Sequence, residues 1–198
     1  RSELAGVDVQ VAPIRRYPLG SLAAQLLGYA GEINDRELAD RIDKGYGLGD
    51  LIGKTGVERR YEEALRGEDG AEFVVVNAMG KRVTTLEEGP PRLPISGRDV
   101  KLTIDLDVQL ALEEAMQHVE RGAAVALDPR DGSVLAMVSK PVFDPNEFSR
   151  GISFARWKEL NSNGAFPLLN RAIQSAYPPG STFKMAVGVA ALEEGVIK

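Results

Sequence analysis

The chain reads as an α+β protein with an antiparallel sheet in its second half. Three observations carry this reading. Elements past residue 97 follow the order strand, helix, strand, turn, strand, helices, which is not the regular βαβ alternation of a parallel sheet. Two short apolar runs, 123–127 and 133–138, flank Asp128-Pro129-Arg130-Asp131-Gly132, a turn with proline and glycine well placed. A proline- and glycine-rich stretch at 87–97 can continue neither a helix nor a central strand, so it divides the chain into a first unit, 1–95, and a second, 96–198.

In order along the chain, Val7, Val9 and Val11 alternate with polar residues as in a short strand. Pro18-Leu19-Gly20-Ser21 starts a helix through Leu27, which Gly28 ends. Asn34-Asp35 caps a second helix reaching Ile42, and a glycine-rich connector, 45–56, leads into a helix over 57–66 that Gly67 stops. Residues 73–76 and 82–86 read as a hairpin turning at Met79-Gly80. Beyond the boundary, 100–104 reads as a strand. Asp105 then caps a helix with Val108, Ala111, Leu112, Ala115, Met116 and Val119 on one apolar face. Residues 153–160 form a short helix.

Composition excludes several functions. The 198 residues carry a formal charge of −5, with no basic run or aromatic–basic stripe, which argues against a nucleic-acid partner. With no cysteine there is no disulfide, thiolate metal site or catalytic thiol. No apolar stretch is long enough to span a membrane, and Arg1-Ser2-Glu3 is not a signal peptide. The chain starts without methionine and stops directly after an apolar helix, so a fragment of a longer protein is expected.

The most informative segment is Tyr177-Pro178-Pro179-Gly180-Ser181-Thr182-Phe183-Lys184, followed by an apolar run to Leu192. The prolines and glycine force a turn, and Ser181 is expected to open a helix with Lys184 three residues on. Positions i and i+3 share a helix face, separated by roughly 4.5 Å of rise, so hydroxyl and amine can meet. A serine at a helix start also sits where the macrodipole stabilises developing negative charge. That is the arrangement of a serine nucleophile activated by an amine. Ordinary Ser and Lys usage gives about one S-x-x-K by chance in a chain this long, so the context must decide. Here the turn fixes the approach, and the following helix is apolar enough to be expected in a buried position. The plainer alternative makes Ser181 an N-cap and Lys184 a solvated first-turn residue.

Other constellations carry less. Gly53-Lys54-Thr55-Gly56 suggests a phosphate loop, but the glycine required five residues before the Gly-Lys pair is Leu48, and the motif reads as a structural turn feeding the 57–66 helix. His118, the single histidine, falls off its helix's apolar face, so no Ser-His-Asp triad is available and lysine remains the candidate base. Asp128, Asp131 and Asp144 are explained by turns, and neither a cofactor nor a metal is expected.

On these residues the chain resembles the class B penicillin-binding proteins, over nearly its whole length. Arg16-Tyr17-Pro18, Leu27-Gly28-Tyr29, Gly53 to Glu58, and Leu65-Arg66-Gly67 are similar to the family's non-catalytic pedestal. Leu102-Thr103-Ile104-Asp105, Ala126 to Pro129, Asp144-Pro145-Asn146 and the block from Asn170 to Lys184 resemble the start of its transpeptidase domain. Glu32-Ile33-Asn34-Asp35 and Gly53-Lys54 lean toward the branch serving cell elongation rather than its division paralogue. The resemblance implies a peptidoglycan D,D-transpeptidase, with D,D-carboxypeptidase or β-lactam-hydrolysing activity as a minor variant, in which Ser181 is acylated by stem peptides or β-lactams, with its backbone N–H as one oxyanion donor. Lys184, neutral through burial, takes the serine proton. It also implies a membrane-anchored protein facing the periplasm, whose pedestal meets a SEDS-type glycosyltransferase of the RodA kind and elongation-complex scaffold proteins. The family's S-x-N motif and its downstream K-T-G do not occur after Ser181, so these 198 residues alone are not expected to form a complete active site. Two other readings compete: a non-catalytic interaction module, carried by 1–95, and a β-lactam sensor. A sensor shares S-x-x-K but lacks the pedestal-like segment at 53–67.

Overall fold

The computed structural model describes residues 14–71, 74–79, 82–85 and 92–197. The strand expected at 7–11 and part of the 87–97 boundary lie outside the described residues. The architecture is α+β, and among the described residues it contains three two-stranded antiparallel sheets.

The helix expected from Pro18 is mostly turns, because Gly20 (φ 58°) and Ala23 (φ 52°) leave helical geometry. Only α1 (Ala24–Leu27) remains, and Gly28 ends it at φ 78° as expected. Strand β1 (Ala30–Glu32) pairs with β2 (Leu51–Gly53), Ala30 opposite Gly53. Neither is legible in the sequence, since three residues are too few for alternation and β2 lies inside the supposed connector at 45–56. Between them α2 (Asp35–Ala39) opens on a capping box: Asn34 accepts from the Glu37 amide and Glu37 accepts from the Asn34 amide. It ends three residues before Ile42, where a 3₁₀ turn takes over. Ile33, Tyr46 and Ile52 form the small core beneath, with Leu38 against it.

The single helix expected over 57–66 breaks at Tyr61 into α3 (Gly56–Arg60) and α4 (Glu62–Leu65), and Gly67 follows at φ 76°. β3 (Val74–Val76) and β4 (Arg82–Thr85) form the expected hairpin, with an irregularity at Val75/Val76. The chain then returns to this unit, as Arg92 and Ile95 bridge to Ala71 and Glu68.

Residues 100–104 form no regular strand. They bond to a later strand through Thr103 Oγ1, which donates to the Val134 carbonyl (2.7 Å), and just beyond them the Asp105 amide donates to the Leu135 carbonyl (2.9 Å). Asp105 caps α5 (Leu106–Ala115), accepting from the Asp107 and Val108 amides. Its inward face differs from the one expected. Val108, Val119 and Ala115 are exposed, whereas Gln109 is fully buried, with Leu112 and Met116 half-buried. The reason is polar. Strand β6 (Val134–Lys140) leaves the Met137 peptide facing α5, and Gln109 serves it like a neighbouring strand, accepting from its N–H (2.8 Å) and donating to its C=O (3.1 Å). On its other edge β6 pairs with β5 (Gly122–Leu127), closing the expected turn with Gly132 at φ 78°.

Short helices α6 (Asn146–Ser149), α7 (Phe154–Ser162), capped by Ser153, and α8 (Arg171–Gln174), capped by Asn170, follow. Of these, only α7 was legible. The larger core lies where the two halves meet: Ala24 and Tyr29 from the first pack with Phe143, Phe148 and Leu160 from the second. Tyr29 stacks on Phe148 at 3.8 Å between centroids and meets Phe143 edge-on. Polar ties reinforce the junction. Asn146 accepts from the Tyr17 amide and donates to its carbonyl, both at 2.9 Å, and Glu113 accepts from the Ala23 amide while pairing with half-buried Lys140 at 3.0 Å.

Candidate active site

Ser181 is delivered by a segment anchored at several points upstream. On β6, Ser139 Oγ donates to the Leu169 carbonyl (3.1 Å) and accepts from the Arg171 amide (3.0 Å). The Arg171 guanidinium, 3% exposed, donates to the carbonyls of Phe166 and Ala165 and ties the 165–171 bend to its own backbone. Asn170 caps α8 and donates to the Gln25 carbonyl, while the Gln25 side chain donates to the carbonyls of Pro141 (2.8 Å) and Pro167 (2.9 Å). One buried glutamine of α1 therefore holds two loops of the second half. Its only trace in the sequence is an amide inside the apolar run Ala23–Leu27; Ser139 leaves none.

After α8 the chain turns at Gly180 (φ 53°), and a 3₁₀ turn spans Gly180–Thr182, closed by Thr182 Oγ1 on the Pro179 carbonyl. The final helix, α9 (Phe183–Glu193), starts two residues later than expected, so Ser181 belongs to the 3₁₀ turn and Lys184 to the first turn of α9. The two remain three residues apart at one end of the helix, the spacing that eclipses side chains in 3₁₀ geometry. Among the described residues no hydrogen bond joins them. The burial expected of this helix and of Lys184 is not found. Every residue of α9 is exposed or half-exposed, with Met185 at 74% and Val189 at 61%, and Lys184 is exposed as well. Burial was inferred from composition, and nothing described here packs over that face.

The Gly53–Gly56 motif is a packing device. A Cβ on Gly28 would lie 2.0 Å from the Thr55 carbonyl oxygen, one on Gly53 2.2 Å from the Glu58 carbonyl, and one on Gly56 2.5 Å from that of Leu26. These glycines let α1, β2 and α3 interlock backbone to backbone. Lys54 pairs with Glu37 at 2.5 Å instead of reaching outward. Burial alone would raise the Glu37 carboxyl, but hydrogen bonds from Lys54 and the Asn34 amide, with the Lys54 and Arg41 charges, outweigh it and hold it below its ordinary value. The depressed value means that Glu37 stabilises the fold above the unfolded carboxyl's pKa and ceases to as pH falls through the folded one. Thermal unfolding followed from pH 6 to pH 3 should therefore show a loss below about 4.5 that Glu37→Gln diminishes. Gly53→Ala should destabilise by about 2–4 kcal/mol, because backbone must move to admit the methyl, and urea unfolding measures it. His118 lies exposed at the end of α5, and among the described residues no group of three His, Cys, Asp or Glu could hold a metal ion.

Two family profiles match the chain, a penicillin-binding protein dimerisation domain over residues 1–102 and a penicillin-binding protein transpeptidase domain over residues 122–198. The peptidoglycan D,D-transpeptidase MrdA of Escherichia coli is 42% identical over 196 residues, covering 97% of this chain and 30% of that protein. MrdA of Haemophilus influenzae is 44% identical over 187 residues, covering 92% of this chain and 28% of that one. Among solved structures, Pseudomonas aeruginosa PBP2 in complex with WCK 5153 superposes with a TM-score of 0.74 at 42% identity, covering 93% of this chain and 36% of that one. A complex between PBP2 and MreC from Helicobacter pylori gives 0.74 at 35% identity, covering 91% and 32%. The chain thus spans about a third or less of the length of the relatives it matches.

Proposed function

The chain belongs to the penicillin-binding proteins, and we propose that the full-length protein containing it is a serine D,D-transpeptidase that cross-links peptidoglycan stem peptides during cell elongation. The observation that carries the proposal is the Ser181–Lys184 pair where a 3₁₀ turn meets an apolar helix, at the end of an anchored segment and within the stretch matching the transpeptidase profile. In this reading Ser181 Oγ attacks the carbonyl carbon between the two terminal D-alanines, and Lys184 Nζ takes the hydroxyl proton. The C–N bond breaks, the proton passes to the departing D-alanine, and an ester to Ser181 remains. An amine from a neighbouring strand attacks that ester, forms the cross-link and restores the serine. β-Lactams enter the same acylation and leave a stable ester. The Ser181 N–H is one oxyanion donor.

Residues 1–95 then form the pedestal and 96–198 the first part of the transpeptidase domain. We place the full-length protein at the inner membrane, on its periplasmic face; among the described residues no helix is long and apolar enough to cross a membrane. The Helicobacter pylori relative bound to MreC supports a scaffold protein as pedestal partner, and a SEDS-type glycosyltransferase is the second partner proposed. A reading of the pedestal as an interaction module draws on one observation, the ties of Tyr17, Ala23 and Gln25 to the second half, through which an event at the pedestal reaches the segment carrying Ser181. The test is to label the full-length protein with a fluorescent penicillin and map the adduct by mass. The adduct is expected on Ser181, and one on any other residue removes the assignment.

A further inference from the structure

A hollow of about 400 Å³, with neither Ser181 nor Lys184 in its lining, opens where α3 and α4 face the segment after α2. Its wall includes Arg41, Lys44, Arg59, Arg60 and Arg98, drawn from three separate stretches, against two carboxylates, Glu62 and Glu63. In a chain of net charge −5 that local excess of cations runs against composition.

The two carboxylates are already engaged. Glu63 pairs with Lys44 at 2.7 Å, and Glu62 accepts from Tyr46 Oη (3.0 Å) and the Gly53 amide (2.6 Å). Arg60 lies over the Tyr61 ring. Among the described residues, Arg59 and Arg98 form no ion pair and donate no side-chain hydrogen bond, and Arg41, which forms neither, is partly offset by the nearby Glu37 charge. The contrast with Arg66 nearby is direct, since that side chain is saturated by Asp50, Asp69, two carbonyls and the Tyr46 ring.

Arg98 is held at this wall by the backbone. Its amide donates to the Ala64 carbonyl at 2.7 Å, and Gly97 approaches so closely that a Cβ there would lie 2.0 Å from the Leu65 carbonyl oxygen. Like charges gathered by a rigid backbone repel one another unless an anion joins them. Guanidinium groups suit tetrahedral oxyanions, each offering two parallel N–H donors. The volume matches a small ligand, not a polymer track.

We infer that this hollow is a binding site for a phosphate-class oxyanion, either free or as the headgroup of a phospholipid. The inference is independent of the chemistry assigned to Ser181. Isothermal titration of the full-length protein at low salt tests it, with sodium pyrophosphate as one probe and glycerophosphoglycerol, the water-soluble headgroup, as the other. Pyrophosphate should bind in the sub-millimolar range, and Arg59→Gln and Arg98→Gln should each weaken it by about tenfold. Melting temperature and penicillin labelling should stay at their wild-type values, which separates a lost contact from a lost fold. Comparable binding of glycerophosphoglycerol identifies the lipid headgroup as the source, and binding of pyrophosphate alone identifies a free phosphate. Absence of binding by both probes, or binding that neither substitution changes, overturns the inference.

Discussion

Replacing Ser181 with alanine in the full-length protein is expected to abolish covalent penicillin labelling while leaving the melting curve in place. Ser181 is exposed and makes no side-chain hydrogen bond among the described residues, while the turn around it is closed by Thr182 on Pro179, so losing the hydroxyl should cost within about 0.5 kcal/mol. The same hydroxyl is the atom that forms the ester, so acylation cannot proceed without it. Lys184→Ala should follow with a loss of about 10²–10⁴ in acylation rate, the range for removing a general base. His118, the single imidazole, sits on the surface at the end of α5 and offers no substitute. Stopped-flow acylation reads both variants. Labelling retained by the alanine variant at position 181 would sink the assignment.

Arg171→Met is expected to cost about 2–4 kcal/mol of stability, because two hydrogen bonds from a buried guanidinium to the carbonyls of Phe166 and Ala165 vanish together; the Phe166 carbonyl keeps the Leu169 amide, but that of Ala165 loses its donor. Methionine fills comparable space, so the loss reports polar satisfaction and not a cavity. Released carbonyls should also loosen the 165–171 bend, and penicillin labelling of the fraction that remains folded should slow. Arg171→Lys should recover part of both, since an ammonium can reach one carbonyl but not fork to two. Urea unfolding beside labelling kinetics makes the comparison. A methionine variant within 1 kcal/mol of wild type would show that water replaces the guanidinium at no cost.

The candidate site was visible in the sequence because proline and glycine announce a turn and the chemistry needs named residues: Tyr177 to Lys184 says where the chain bends and what it presents there. The β5–β6 hairpin, the Asn34 and Asp105 caps and the stop at Gly67 were legible for the same reason, since each is a local event set by one or two residues. What could not be read depends on partners distant in the chain. β1 and β2 are three residues each and exist through their pairing. The inward face of α5 is chosen by an unpaired peptide at Met137, and hydrophobicity alone placed the wrong residues inside. Burial of α9 was expected from its apolar residues, but burial is decided by what packs over a helix and not by the helix itself. Gln25 is the sharpest case, for nothing around it in sequence points to Pro141 or Pro167.

That separation along the chain has a consequence for how the protein is made. Gln25 and Asn170 are 145 residues apart, and Tyr17 and Asn146 are 129 apart. At about 5–20 residues per second of synthesis, the partner of Gln25 is polymerised roughly 7–30 s after Gln25 itself. The aromatic cluster must wait as well, because Tyr29 precedes Phe143 and Phe148 by most of the chain. A nascent chain halted before residue 140 therefore carries an unsatisfied α1 and a bare Tyr29, and should be cut readily by protease near residues 23–29, whereas one extended past residue 171 should resist. Release of the segment around Gln25 from proteolysis thus dates the moment in translation when the two halves join.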